Sequence, residues 1–78
     1  MRILVVEDDP ASGEYVARGL REAGHTVDLA DNGRDGLFLA TTESYDLLIL
    51  DRMLPEMDGL TILRSMRASQ VDTPVLIL

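Results

Sequence analysis

Asp46-Leu47-Leu48-Ile49-Leu50-Asp51 runs into Arg52-Met53-Leu54-Pro55-Glu56-Met57-Asp58-Gly59, and this junction decides how the chain folds. Consecutive aliphatic residues closed by a carboxylate and then by turn formers read as a short parallel strand buried on both faces. Asp51 then stands at the strand's carboxyl end, where open α/β sheets place their ligands. An aspartate there either opens a loop, as aspartates often do, or is the reactive group of a site. The N-terminus bears on that choice.

Arg2-Ile3-Leu4-Val5-Val6 is a second short β-branched run, and Glu7-Asp8-Asp9 ends it. Asp9 followed by Pro10 is a good helix start, because an N-cap carboxylate accepts from the first free amides and proline lacks only an N–H that would be unpaired anyway. Val16, Leu20 and Ala23 then recur at helical spacing, with Gly24 as the stop. Gly13 and Gly19 each weaken this helix by about 1 kcal/mol relative to alanine, so packing must hold it. Thr26-Val27-Asp28-Leu29-Ala30 alternates as a strand near a sheet edge does. After the Asp31-Asn32-Gly33 turn, Leu37, Phe38 and Ala40 mark a short helix to about Thr42. Asp58 caps a third helix carrying Leu60, Ile62, Leu63 and Met66 to about Ala68, and Val75-Leu76-Ile77-Leu78 forms a fourth strand. The pattern is β-α-β-α-β-α-β, an α/β fold whose crossovers are long enough for right-handed parallel connections.

With 78 residues there is room for one small domain, of marginal stability at this size. Aromatic residues make up 4% of the chain, so the core must be aliphatic. Without cysteine, disulfides, zinc–thiolate sites and thiol catalysis are excluded. No run reaches membrane-spanning length and residues 1–6 are too short for a signal peptide, so a cytoplasmic protein with no membrane contact is expected. The net charge is −7, and every basic residue is an arginine. Direct nucleic-acid binding needs a basic face and is not expected of this chain; a cationic partner or a metal suits it better.

Adjacent parallel strands place their carboxyl ends about 5 Å apart, so three or all four of Glu7, Asp8, Asp9 and Asp51 would converge on one rim. Such a cluster repels itself and raises its own pKa values unless a cation intervenes, and a hard divalent ion with oxygen ligands, Mg2+ above all, is the usual remedy. The alternative is a set of separate solvated loop acids with Asp9 only a cap. The first strand–helix turn, Glu-Asp-Asp-Pro-Ala-Ser-Gly, carries neither the G-x-G-x-x-G of dinucleotide folds nor the G-x-x-x-x-G-K of P-loops. Nucleotide binding there is not expected.

Ile3-Leu4-Val5-Val6-Glu7-Asp8-Asp9, Leu48-Ile49-Leu50-Asp51-Arg52-Met53-Leu54-Pro55 and Met57-Asp58-Gly59 together resemble the receiver domain of bacterial two-component response regulators, especially the subfamily in which a winged-helix DNA-binding domain follows. The resemblance implies a flavodoxin-like (CheY-like) three-layer fold with strand order 2-1-3-4. It implies phosphorylation of Asp51 by a sensor histidine kinase, with Mg2+ held by Asp8, Asp51 and the backbone carbonyl of Met53 and with Glu7 acting through water. The role is that of a signalling acceptor in transcription regulation, not an enzyme. The haloacid-dehalogenase-like phosphatases, which also form aspartyl phosphates, carry a second aspartate two residues after the nucleophile; Met53 stands there instead. An acyl phosphate without a neighbouring acid or base should persist, as a signal must.

Receivers also carry a serine or threonine after the fourth strand and a lysine at the end of the fifth, and this sequence shows neither. Residues 1–78 are therefore expected to be the N-terminal portion of a receiver, without the fourth helix, fifth strand, fifth helix and effector domain. Phosphorylation is expected to be impaired and self-association through uncovered apolar surface is expected, giving a homodimer or higher oligomer. His25 is expected to be an exposed turn residue, Met57 and Met66 loop cover and core filler, and Arg18, Arg21, Arg64 and Arg67 solvated or paired on helix faces.

Overall fold

Apolar runs too short for helices become the strands, and the longer amphipathic stretches between them become the helices. A computed structural model describes residues 1–52, 54 and 57–78. Its elements are β1 (Arg2–Val6), α1 (Pro10–Glu22), β2 (Thr26–Ala30), α2 (Gly33–Thr42), β3 (Leu47–Leu50), α3 (Gly59–Ala68) and β4 (Val75–Ile77). All strand pairings are parallel and the order is β2-β1-β3-β4, as expected. Val6 lies opposite both Ala30 and Leu50, so β1, β2 and β3 end level with one another.

Side chains alternate across the central strands and build a core on each face. Leu4, Val6, Leu48 and Leu50 pack with Ala40 of α2 and with Ile62 and Met66 of α3. Ile3, Val5, Val27 and Ile49 pack with Ala17, Val16 and Leu20 of α1. One helix thus covers one face and two cover the other. Both cores are aliphatic apart from Tyr45, the one buried aromatic among the described residues.

Helix ends follow the expected chemistry. Asp9 caps α1 by accepting from the Ala11 amide at 3.2 Å and from the Ser12 hydroxyl at 2.8 Å. The helix closes when the Gly24 amide donates to Arg21 and the His25 amide to Leu20. Gly24 takes φ +96°, a left-handed conformation that costs a residue with a Cβ about 1–2 kcal/mol. Asn32 and Asp58 cap α2 and α3 through the Asp35 and Thr61 amides, both at 2.8 Å.

Not every apolar residue that marks a helix is buried, and two expectations, the exposure of His25 and the end of the fourth strand, need correction. Ala23 is the exposed C-cap of α1 and not part of its buried stripe. Phe38 is 65% exposed, because α2 turns Gly33, Gly36 and Ala40 to the core and lies so close to β1 that a Cβ on Gly36 would stand 2.7 Å from Val6. Leu60 is also exposed. His25 is half-buried, its Nδ1 accepting from the N-terminal ammonium at 3.1 Å. β4 stops at Ile77, although the Leu78 amide still donates to Leu50 at 2.9 Å.

A clasp at the opposite end of the sheet from the strand ends was not foreseen. Arg2 stacks its guanidinium 4.8 Å from the Tyr45 ring centroid and donates to Asp28 at 3.2 Å. The Tyr45 hydroxyl donates to the same carboxylate at 2.7 Å, and the Arg2 amide donates to Asp46 at 2.7 Å. Burial and the adjoining Asp28 carboxylate push the Tyr45 phenol up to about 12. The same hydrogen bond and that from Arg2 hold Asp28 below its ordinary value.

Candidate functional site

The ladders continue past the strands and bring the acids together. Glu7 donates its amide to Ala30 and Asp51 donates its amide to Val6, both at 3.0 Å. Both residues therefore keep strand geometry for one step beyond the apolar runs. Glu7, Asp8 and Asp51 present carboxylate oxygens within 4.8 Å of one another. Asp9 is not in this group; it caps α1, and its amide donates to Glu7 at 3.1 Å, which orients the Glu7 side chain. Of the expected metal-binding residues, Met53 lies outside the described residues.

The electrostatics follow from this crowding. Glu7 is half-buried, and its carboxyl is pushed above the ordinary range first by burial and further by the negative charge of Asp51. The Asp9 amide opposes the shift without cancelling it. Three oxygen donors that repel one another suit a hard divalent cation better than they suit empty water. The donor set fits Mg2+, which prefers a few carboxylates and keeps its remaining positions for water or phosphate oxygens.

Glycines let the backbone behind Asp51 close up. A Cβ on Gly59 would stand 3.1 Å from the Asp51 carbonyl, and the Gly59 amide donates to Arg52 at 3.2 Å. On the other side, a Cβ on Gly33 would stand 2.8 Å from the Met57 carbonyl. Met57 packs on the core and Met66 is wholly buried, as expected of both. Arg52 is exposed beside Asp51.

A model of the response regulator receiver domain matches residues 3–78. The chain belongs to that family. Over its whole length it is 51% identical to the transcriptional regulatory protein CusR of Escherichia coli K12, of which it covers 34%. This receiver thus spans about a third of the curated relatives it matches. The receiver domain of the Francisella response regulator 1452 superposes with a TM-score of 0.94 at 33% identity, over 97% of this chain and 63% of that one. The response regulator TrrA of Thermotoga maritima, solved in complex with Mg2+ and BeF, superposes at 0.86 with 37% identity, over 97% of this chain and 64% of that one. Phosphorylation and Mg2+ binding at an acidic site are typical of such receivers. Among the described residues, no helix of this receiver is long and apolar enough to cross a membrane.

Proposed function

We propose that Asp51 is the phosphoacceptor of a two-component receiver, taking its phosphoryl group from a sensor histidine kinase with Mg2+ present. The convergence of Glu7, Asp8 and Asp51 from two strand ends carries this reading. An Asp51 Oδ forms the new bond to phosphorus as the phosphorus–nitrogen bond to the kinase histidine breaks, and the imidazole leaves with the electron pair. Asp8 and Asp51 would hold the cation directly and Glu7 through water, with the Met53 carbonyl as a further ligand. Bound Mg2+ supplies positive charge for the equatorial phosphoryl oxygens. The chain itself does the remaining work: the Asp51 amide, donating to Val6, holds that residue's backbone at the strand end, and the Asp9 amide donates to the Glu7 carboxylate. CusR and its kin being transcriptional regulators, the phosphorylated receiver is proposed to govern a DNA-binding partner domain without touching DNA itself.

Incubation with acetyl phosphate and Mg2+, followed by intact mass, tests the assignment. A single phosphoryl adduct is expected in the wild type and none in Asp51→Asn. An adduct that survives in Asp51→Asn overturns it. This chain contains no lysine to contact the transferred group. Loss of one such electrostatic donor costs about 3–4 kcal/mol in other active sites, so labelling is expected to be slow beside a receiver that carries one.

A second reading, self-association without phosphorylation, is favoured by one observation. Leu76 and Leu78, at the β4 edge of the sheet, are 50% and 63% exposed.

A further inference from the structure

Beside the acidic rim, residues of α1, of β2 and its end, and of α2 line a cleft of about 590 Å³. Its floor is apolar, made by Pro10, Leu29, Ala30, Leu39 and the exposed ring of Phe38. Its walls are acidic: Glu7 and Glu14 stand on the α1 side, Asp31 and Asp35 on the α2 side, and none of the described lining residues is basic. Asn32 donates to both Asp31 at 2.8 Å and Asp35 at 3.0 Å, which fixes the second wall.

We propose that this cleft docks a basic segment of a partner protein. An apolar side chain of that segment would sit on Leu29, Phe38 and Leu39, and flanking arginine or lysine side chains would reach Glu14, Asp31 and Asp35. Three features select this occupant. The carboxylates match cations and repel nucleic acid, an anionic bilayer and the equally acidic cleft of a second copy. The apolar floor gives an anchor that a bare metal ion would not use. The cleft is partly open, with Phe38 65% exposed, unlike the enclosing pockets that bury most of a small ligand. An extended contact anchored by one aromatic and flanked by charges is the usual anatomy of a protein-docking patch. Glu7 belongs to both the cleft and the acidic rim, so a bound segment would lie against the phosphoacceptor site.

The test maps a short synthetic helical peptide, with one arginine face and one leucine face, onto the isotope-labelled chain by amide chemical shifts. Shifts are expected to cluster on Glu14, Leu29 and residues 35–39. Phe38→Ala and the pair Glu14→Gln with Asp35→Asn are each expected to weaken binding about tenfold or more, whereas Glu22→Gln and Asp72→Asn, acids outside the cleft, leave it unchanged. Peptides with glutamate for arginine, or serine for leucine, should not bind. The proposal is overturned if the shifts scatter over all exposed acids or if the cleft variants bind as well as wild type. It is equally overturned if phenethylammonium binds as tightly as the peptide, or if the cleft shifts appear on concentrating the chain alone. Should Phe38→Ala unfold by circular dichroism, the paired acid variant decides.

Discussion

Replacing Asp51 with asparagine is expected to make the metal-free fold more stable. The three site carboxylates lie within 4.8 Å of one another. At such a separation a pair of like charges costs about 3 kcal/mol at an effective dielectric of 20 and about 1 kcal/mol in bulk water. Glu7 and Asp51 are only half-buried, so the lower figure governs. Asparagine at position 51 removes the repulsion of Asp51 with Glu7 and with Asp8, together worth about 1–2 kcal/mol. Urea denaturation in a chelating buffer measures it. Magnesium should then act on the wild type alone: a ligand that binds only the native state, at ten times its Kd, adds about 1.4 kcal/mol. Asp8→Ala is expected to lose this response as well. Protonation gives a third handle, because burial and Asp51 raise the Glu7 carboxyl above its ordinary 4.5. A carboxyl raised in the folded state supports the fold below its unfolded value and ceases to as pH rises through the folded one. The metal-free protein should therefore lose stability as pH climbs through that window, and Glu7→Gln should flatten the loss. An Asp51→Asn protein no more stable than wild type without cation, or one that gains as much from Mg2+, refutes the reasoning.

Three further outcomes follow from the packing. A Cβ on Gly19 would meet nothing within 4 Å, so Gly19→Ala should stabilise by about 0.5–1 kcal/mol; Gly36→Ala, driven into Val6, should destabilise by about 1–3 kcal/mol despite the same helix preference, both read by urea midpoint. Tyr45 is raised to about 12, so its contribution is intact below the free phenol's value of about 10 and is lost as pH rises through 12; Tyr45→Phe should remove the matching step in an alkaline unfolding curve. The exposed Leu76 and Leu78 should drive association at micromolar concentration, weakened in Leu76→Glu; light scattering that shows a concentration-independent monomer in the wild type would contradict it.

The strands and the acidic rim were legible because both depend on where apolar runs stop. Val6 and Leu50 end two such runs, and parallel pairing carries the next residues to a common edge. The outward direction of Phe38 was not legible, for a different reason. Leu37, Phe38 and Leu39 are consecutive in a helix of ten residues, so apolarity alone leaves its inward direction open. The available signal was the stripe of small residues, Gly33, Gly36 and Ala40, which marks a helix seated directly on a sheet. The cluster of Arg2, Asp28 and Tyr45 had no signal at all, since its members lie far apart in the chain and meet only once the register is set.

That cluster also has a metrological role. A strand slipped by one residue turns every side chain to the opposite face, and β1, uniformly aliphatic from Ile3 to Val6, has no interior mark to forbid it. Arg2 supplies the mark, its amide gauged against Asp46 beside β3 and its guanidinium against Asp28 in β2. Further along the strand, that datum fixes which acid faces Asp51. The zero of the scale lies at one end of the sheet, and the chemistry is read off at the other.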